Sequence, residues 1–209
     1  GLVGSEMCIR DSCCASFMEL PGADQTWFLT LDISNPSAPR QLARLDSVFG
    51  YDLYLADSLV FVSGRSAAYP EGFRIVSIAD SAHPRLKGTC GVSDYRWGVW
   101  ADPADNRAFV ASEPGGLAVI DFSNQSAPIV DTTLMHADQA YDISIDGDRA
   151  YVANWRGGLR ILDISNPTCP TELGGYDSAS IASNTTTASD SFAFVGWCQT
   201  CLLYTSDAA

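Results

Sequence analysis

Hydrophobic and polar residues alternate along this chain in short runs broken by turn residues. Tyr141-Asp142-Ile143-Ser144-Ile145 puts apolar side chains on one side and polar ones on the other, the period of a half-buried strand. Asp146-Gly147-Asp148 supplies turn chemistry, and Ala150 to Asn154 reads as a second strand. Arg156-Gly157-Gly158 turns again, its glycines tolerating positive φ. Leu159 to Ile164 is a third strand, with Leu159 and Ile161 on one face and Leu162 and Ile164 on the other. A strand apolar on both faces needs a sheet above it and a sheet below. Ser165-Asn166-Pro167 then ends the ladder, because proline has no N–H and Asn or Ser closes a local turn. Thr171 to Tyr176 predicts a fourth, more polar strand at an outer edge.

That unit recurs. Leu31-Asp32-Ile33-Ser34-Asn35-Pro36, Val76-Ser77-Ile78-Ala79-Asp80-Ser81, Ile120-Asp121-Phe122-Ser123-Asn124-Gln125 and Leu162-Asp163-Ile164-Ser165-Asn166-Pro167 align. The prolines that close them, Pro39, Pro84, Pro128 and Pro170, fall 45, 44 and 42 residues apart. A second block repeats in phase: Val60-Phe61-Val62, Ala108-Phe109-Val110, Ala150-Tyr151-Val152 and Ala193-Phe194-Val195. Four short antiparallel strands in each period, both faces covered, describe a β-propeller blade. The expected fold is therefore all-β: a propeller of four-stranded antiparallel blades, about four repeats present, in an incomplete ring. An all-β sandwich is the alternative architecture, but a sandwich has no need of repeated sequence. The Gly-His and Trp-Asp pairs of WD-type propellers are missing.

The pattern G-L-x-I-x-D-I-S-N-P-x-x-P, preceded by A-Y-V-A, resembles the LVIVD repeat of bacterial surface or secreted β-propellers. Ala150 to Pro170 is the best copy and Gly116 to Pro128, with Gln125 in place of the first proline, the next. Trp27 to Pro39 lacks the glycine. Gly72 to Pro84 is the weakest, with Ser77 for Asp and Ser81 for Pro. The resemblance implies a propeller and an extracellular or cell-surface location. It brings no established catalytic residues.

The chain has 209 residues, with 12 basic and 25 acidic side chains and a net charge of -13. Hydrophobic residues make up 46%, enough for a packed core. The acidity argues against nucleic acid as a partner, which calls for a basic face. No apolar run approaches the roughly 18 residues of a membrane span. The ends change the picture further. Glu6 to Ser12, back-translated and reverse-complemented, reads as Cys201-Leu202-Leu203-Tyr204-Thr205-Ser206, so the termini resemble two strands of one sequencing-adapter DNA element. Residues 1–12 and 201–209 are read as adapter-derived, and residues 13–200 as part of a longer propeller. Trp197-Cys198-Gln199-Thr200-Cys201 then loses its redox reading, because Cys201 is adapter-encoded and the context is β rather than βαβ. The remaining cysteines read as isolated thiols.

The candidate chemistry is sparse. Asp32, Asp121 and Asp163 share one position in the repeat; they are cation ligands or, as preferred here, acceptors for turn N–H groups. Asp146-Gly147-Asp148 resembles a piece of a calcium loop but lacks the remaining oxygen ligands, so a hairpin turn is expected. His83 belongs to a solvated turn. A ligand face is expected where the chain leads into each inner strand around the channel, from Tyr51, Asp52, Arg96, Trp97, His136, Asp138, Tyr141 and Asp142. Aromatic faces there would stack on a sugar or peptide while polar groups fix its orientation. The competing reading packs these aromatics between blades. No G-x-S-x-G, H-E-x-x-H or Gly-rich phosphate loop is present, and no cofactor is expected. The expected function is a non-catalytic binding or scaffold module on an exported bacterial protein, its partner a glycan or protein. The rival is a propeller hydrolase or lyase acting at the channel mouth.

Overall fold

The turn signals cut the chain into five antiparallel sheets. The computed structural model describes residues 12–18, 26–48, 50–64, 70–92, 95–113, 116–134, 139–177, 182–189 and 191–198, and every regular element among them is a strand. The first sheet holds β1 (Ser12–Met18), β2 (Thr26–Asp32) and β3 (Arg40–Asp46), in that order. The second holds β4 (Asp52–Ala56), β5 (Leu59–Ser63), β6 (Phe73–Ser77) and β7 (Arg85–Cys90). The third holds β8 (Tyr95–Asp102), β9 (Arg107–Glu113), β10 (Gly116–Asp121) and β11 (Ile129–Leu134). The fourth holds β12 (Asp142–Asp146), β13 (Arg149–Ala153), β14 (Leu159–Asp163) and β15 (Thr171–Tyr176). β16 (Ala182–Ser189) and β17 (Phe192–Cys198) form the fifth. Each strand pairs with its neighbours in sequence, as a propeller blade requires. β2 ends on Asp32 as β10 ends on Asp121 and β14 on Asp163, so the first sheet supplies the second, third and fourth strands of a blade. The fifth supplies the first and second. Among the described residues, about four repeats in sequence thus become three four-stranded blades and parts of two more.

A bulge recurs at one place. The third-to-fourth strand register shifts between Thr30 and Leu31, Ile75 and Val76, Val119 and Ile120, and Ile161 and Leu162. In every case this is one to two residues before the repeat's Asp, or before Ser77 in the second sheet. A bulge adds one residue and sharpens the local twist. Its recurrence in the sheet with the weakest sequence match shows that the backbone repeat outlasts the sequence repeat.

The core lies between sheets. Phe28, Val48, Val60, Val62 and Val76 fill the space between the first and second. Phe61, Phe73 and Ile75 of the second meet Val99, Val110, Ala118 and Ile120 of the third. Phe109, Leu117 and Val119 of the third meet Ile143, Val152 and Leu162 of the fourth. β10 shows how a third strand uses both faces: Leu117 and Val119 point to the following sheet, Ala118 and Ile120 to the preceding one. The fourth strands, such as β15, are largely exposed outer edges. Innermost strands neighbour one another in chain order, β4 beside β8, β8 beside β12 and β12 beside β16. No helix among the described residues is long and apolar enough to cross a membrane.

Candidate functional site

Both ends of the stack carry repeated polar chemistry, and they do different things. At one end lie the turns between third and fourth strands. Asp32 Oδ1 accepts from the Ser34 N–H at 3.0 Å and from its hydroxyl at 2.6 Å. Asp121 Oδ1 accepts from the Ser123 N–H at 2.8 Å, and Asp163 Oδ1 from the Ser165 N–H at 2.9 Å. A second bridge follows three residues on. The Asn35, Asn124 and Asn166 side chains each accept the backbone N–H two residues later at 3.2 Å. In the second sheet Asp80 takes over this role, accepting from the Ala82 N–H at 3.0 Å, and its other oxygen meets His83 Nδ1 at 2.8 Å. The recurring carboxylates are thus turn-builders, as the sequence favoured. Hydrogen bonds from Ser34, with Arg40 beside it, hold Asp32 at about 2. His83, and then the Ala82 N–H, lower Asp80; Ser123 and Arg107 lower Asp121; Ser165 lowers Asp163.

Asp146-Gly147-Asp148 also lies at this end, in the turn between first and second strands. Gly147 has φ +56°, matching the left-handed Asp57 at 54° and Asn106 at 53° in the same turn of other sheets. The Asp148 carbonyl accepts the Ile164 N–H at 2.9 Å, as Ser58 accepts Ile78 and Asn106 accepts Phe122. These acceptor carbonyls stitch the two turns of each blade together, which accounts for a hairpin here.

The opposite end carries the lead-in segments. The Tyr51 N–H donates to the Ser63 carbonyl at 2.7 Å and the Tyr141 N–H to the Ala153 carbonyl at 2.9 Å, fixing both tyrosines where inner strands begin. Tyr51 is 41% exposed. Tyr141 is half-buried and stacks on Trp155, ring centroids 4.8 Å apart and planes 22° off parallel. Trp155 has a left-handed backbone, φ 34°, in the β13–β14 turn, and its carbonyl accepts the Ser183 N–H at 2.9 Å. Gly158, φ 72°, ends this turn where a Cβ would strike the Tyr176 carbonyl. Asn154, 3% exposed, accepts the Gln139 N–H at 3.1 Å and so ties the lead-in segment to the same turn.

Asp52 and Asp142 join blades. Asp52 Oδ2 accepts the Val99 N–H of the next inner strand at 2.9 Å. Asp142 Oδ2 accepts the Thr186 N–H and the Thr185 hydroxyl, both at 2.8 Å, again from the next inner strand. The separations of 47 and 44 residues are one repeat period. Burial pushes the Asp52 carboxyl up, and the nearby Asp142 charge adds to it, against the Val99 and Leu53 N–H groups. Between them Gly98 holds the equivalent position. A Cβ there would lie 2.7 Å from the Asp142 Cα, so glycine lets the inner strands of the third and fourth sheets close without a carboxylate.

The eight expected face residues therefore divide. Tyr51, Asp52, Tyr141 and Asp142 do lie at one end of the stack, with the carboxylates committed to inter-blade bonds and Tyr141 to a stack. Arg96 and Trp97 lie in β8, their side chains outside the described part, and His136 and Asp138 lie outside the described residues. Sequence reasoning missed Trp155, reading Arg156-Gly157-Gly158 only as a turn. It also missed Arg74, 1% exposed on β6, which donates to the Gly64 carbonyl at 2.8 Å, with Glu71 at 3.6 Å.

Radially ordered four-stranded sheets, inner strands linked one period apart and a repeated turn at the far end define a β-propeller-type repeat protein. The LVIVD repeat matches residues 23–46, 104–135 and 137–178. The chain therefore carries LVIVD repeats over these three stretches. The second sheet, with Ser77 and Ser81, falls outside those ranges yet keeps the strand order and the bulge. A comparison with curated proteins finds no match.

Proposed function

We propose that the chain is a non-catalytic binding module of an exported or cell-surface bacterial protein, taking a glycan on the face where its inner strands begin. The observation that carries this is the aromatic surface there: exposed Tyr51 and the stacked pair Tyr141–Trp155, on a turn held in a left-handed backbone. Flat aromatic faces on a rigid rim suit the C–H patches of sugar rings, and loops on such a scaffold vary without disturbing the core. A channel-mouth hydrolase or lyase needs a carboxylate free to move a proton. Asp52 and Asp142, the described carboxylates at this mouth, instead hold neighbouring inner strands together. That commitment favours binding over catalysis.

Glycan-array binding by the wild-type chain and by Tyr51→Ala, Trp97→Ala and Tyr141→Ala tests the proposal. Loss of a tenfold or greater share of affinity in at least two variants is the expected result. Binding unchanged in all three removes this face as the site, and a peptide ligand retained while every glycan fails assigns the face to protein recognition.

A further inference from the structure

The interface between the second and third sheets and the one between the third and fourth use the same repeat positions, yet they close differently. Phe73 stands opposite Cys90 across β6 and β7 as Leu117 stands opposite Leu134 across β10 and β11. Ala118 pairs with Val110 as Arg160 pairs with Val152, and Ile120 with Val130 as Leu162 with Glu172. At the first of these interfaces Phe73, Val110, Ala118 and Ile120 are buried together, and Val130 packs against them. The Phe73 ring fills the space beside Phe61, centroids 6.1 Å apart. At the second interface that ring has no counterpart, because Leu117 holds its place. The Ala118 and Val130 positions carry Arg160 and Glu172 instead.

A cleft opens where the ring is missing. Its empty volume, mouth included, is about 350 Å³; Leu117, Leu134, Val152, Leu162 and Pro170 form its apolar wall, with Arg160 and Glu172 beside them. Leu117, Val152 and Leu162 belong to the core and Leu134 is half-buried, so the cleft runs inward from the outer strands. The two charges are not equally available. Arg160 is turned to Asp177, with Nη1 2.5 Å from its Oδ1. Gly175 makes room for the guanidinium, since a Cβ there would lie 2.5 Å from Nη1. The Glu172 side chain is 38% exposed and meets Arg160 Nε at 3.8 Å, an ion pair too long for a hydrogen bond. An incoming carboxylate would have to compete with Asp177 and Glu172 for Arg160, in a chain of net charge -13. An incoming ammonium meets an exposed carboxylate and displaces nothing.

We propose that this cleft binds a small apolar amine. Its aryl or branched alkyl body takes the place that Phe73 fills one interface earlier, and its ammonium donates to Glu172. The site is separate from the glycan face where the inner strands begin, because it opens between the outer strands β11 and β15.

Phenethylammonium titrated into the full chain, followed by amide NMR shifts, tests the proposal. The expected result is saturable shifts in the millimolar range, centred on Leu117, Leu134, Val152 and Glu172. Phenethyl alcohol, with the same body and no charge, should bind about tenfold more weakly, and phenylacetate more weakly still. Glu172→Gln, at an exposed position, should bring the amine down to the affinity of the alcohol and leave the alcohol unchanged. Leu117→Phe, which supplies the ring that Phe73 provides next door, should keep the β-sheet circular dichroism and bind none of the three. Shifts that never saturate, phenylacetate binding as tightly as the amine, or an amine affinity unchanged in Glu172→Gln would each overturn the proposal. So would a folded Leu117→Phe chain that binds the amine as the wild type does.

Discussion

Asp32 and Asp52 are both aspartates of one small protein, and their surroundings drive them in opposite directions. Asp32, like Asp80, Asp121 and Asp163, is ionised against turn donors, and its folded pKa is depressed to about 2. Groups of this kind add stability above their ordinary value of 3.8, and the addition disappears as pH falls through the folded value. Asp52 is raised by burial, so its ionisation subtracts stability as pH climbs through its folded pKa. The urea midpoint of the chain should fall between pH 4 and pH 2. Asp52→Asn, which keeps an acceptor for Val99 and removes the charge, should be at least as stable as wild type at pH 7. Asp52→Ala leaves the Val99 N–H unpaired and should cost about 1–3 kcal/mol. Equilibrium unfolding of the three proteins separates these effects; equal losses in Asn and Ala would mean that the charge itself is needed. The turn role of Asp32, Asp121 and Asp163 was legible in the sequence, because the acceptor and its donor are two residues apart. The Asp52–Val99 bond was not, because it spans a whole repeat and exists only once inner strands stand side by side.

At the scale of the strand, alternation told a great deal. The fourth strand was expected at Thr171 to Tyr176 and occurs there. The third strand was read as apolar on both faces, and Leu159 and Leu162 are indeed buried while Ile161 is only half-buried. The bulge could not be read, since no one residue type marks it: the extra fourth-strand residues are Leu42, Lys87, Asp131 and Leu173, and a glycine follows in only two of the four sheets. Trp155 and Arg74 were missed for a related reason, since their roles depend on what the neighbouring segment brings against them. Gly98 is the sharpest test of element packing. Gly98→Ala drives a methyl group into the Asp142 backbone and should destabilise by about 1–3 kcal/mol, whereas Gly174→Ala, with open space at the Cβ, should shift the thermal midpoint little. Comparable midpoints for the two variants would contradict the close approach of the inner strands of the third and fourth sheets.

At the scale of the molecule, the repeat explains both the order of the sheets and the chemistry between them. Phe61→Ala empties the interface between the second and third sheets and should cost about 3–5 kcal/mol, seen as a lower denaturation midpoint. Phe194→Ala, at the corresponding position of β17 where the ring is 62% exposed, should cost far less. The central claim is that successive inner strands lie next to each other one repeat apart. Amide hydrogen exchange at Val99 and Thr186, followed by NMR, tests it most directly, since these N–H groups donate to Asp52 and Asp142 from 47 and 44 residues away. Both amides should be protected in the wild-type chain. Val99 alone should lose protection in Asp52→Ala, and Thr186 alone in Asp142→Ala. Fast exchange at both positions in the wild type, or exchange indifferent to either substitution, would contradict the radial order of the blades.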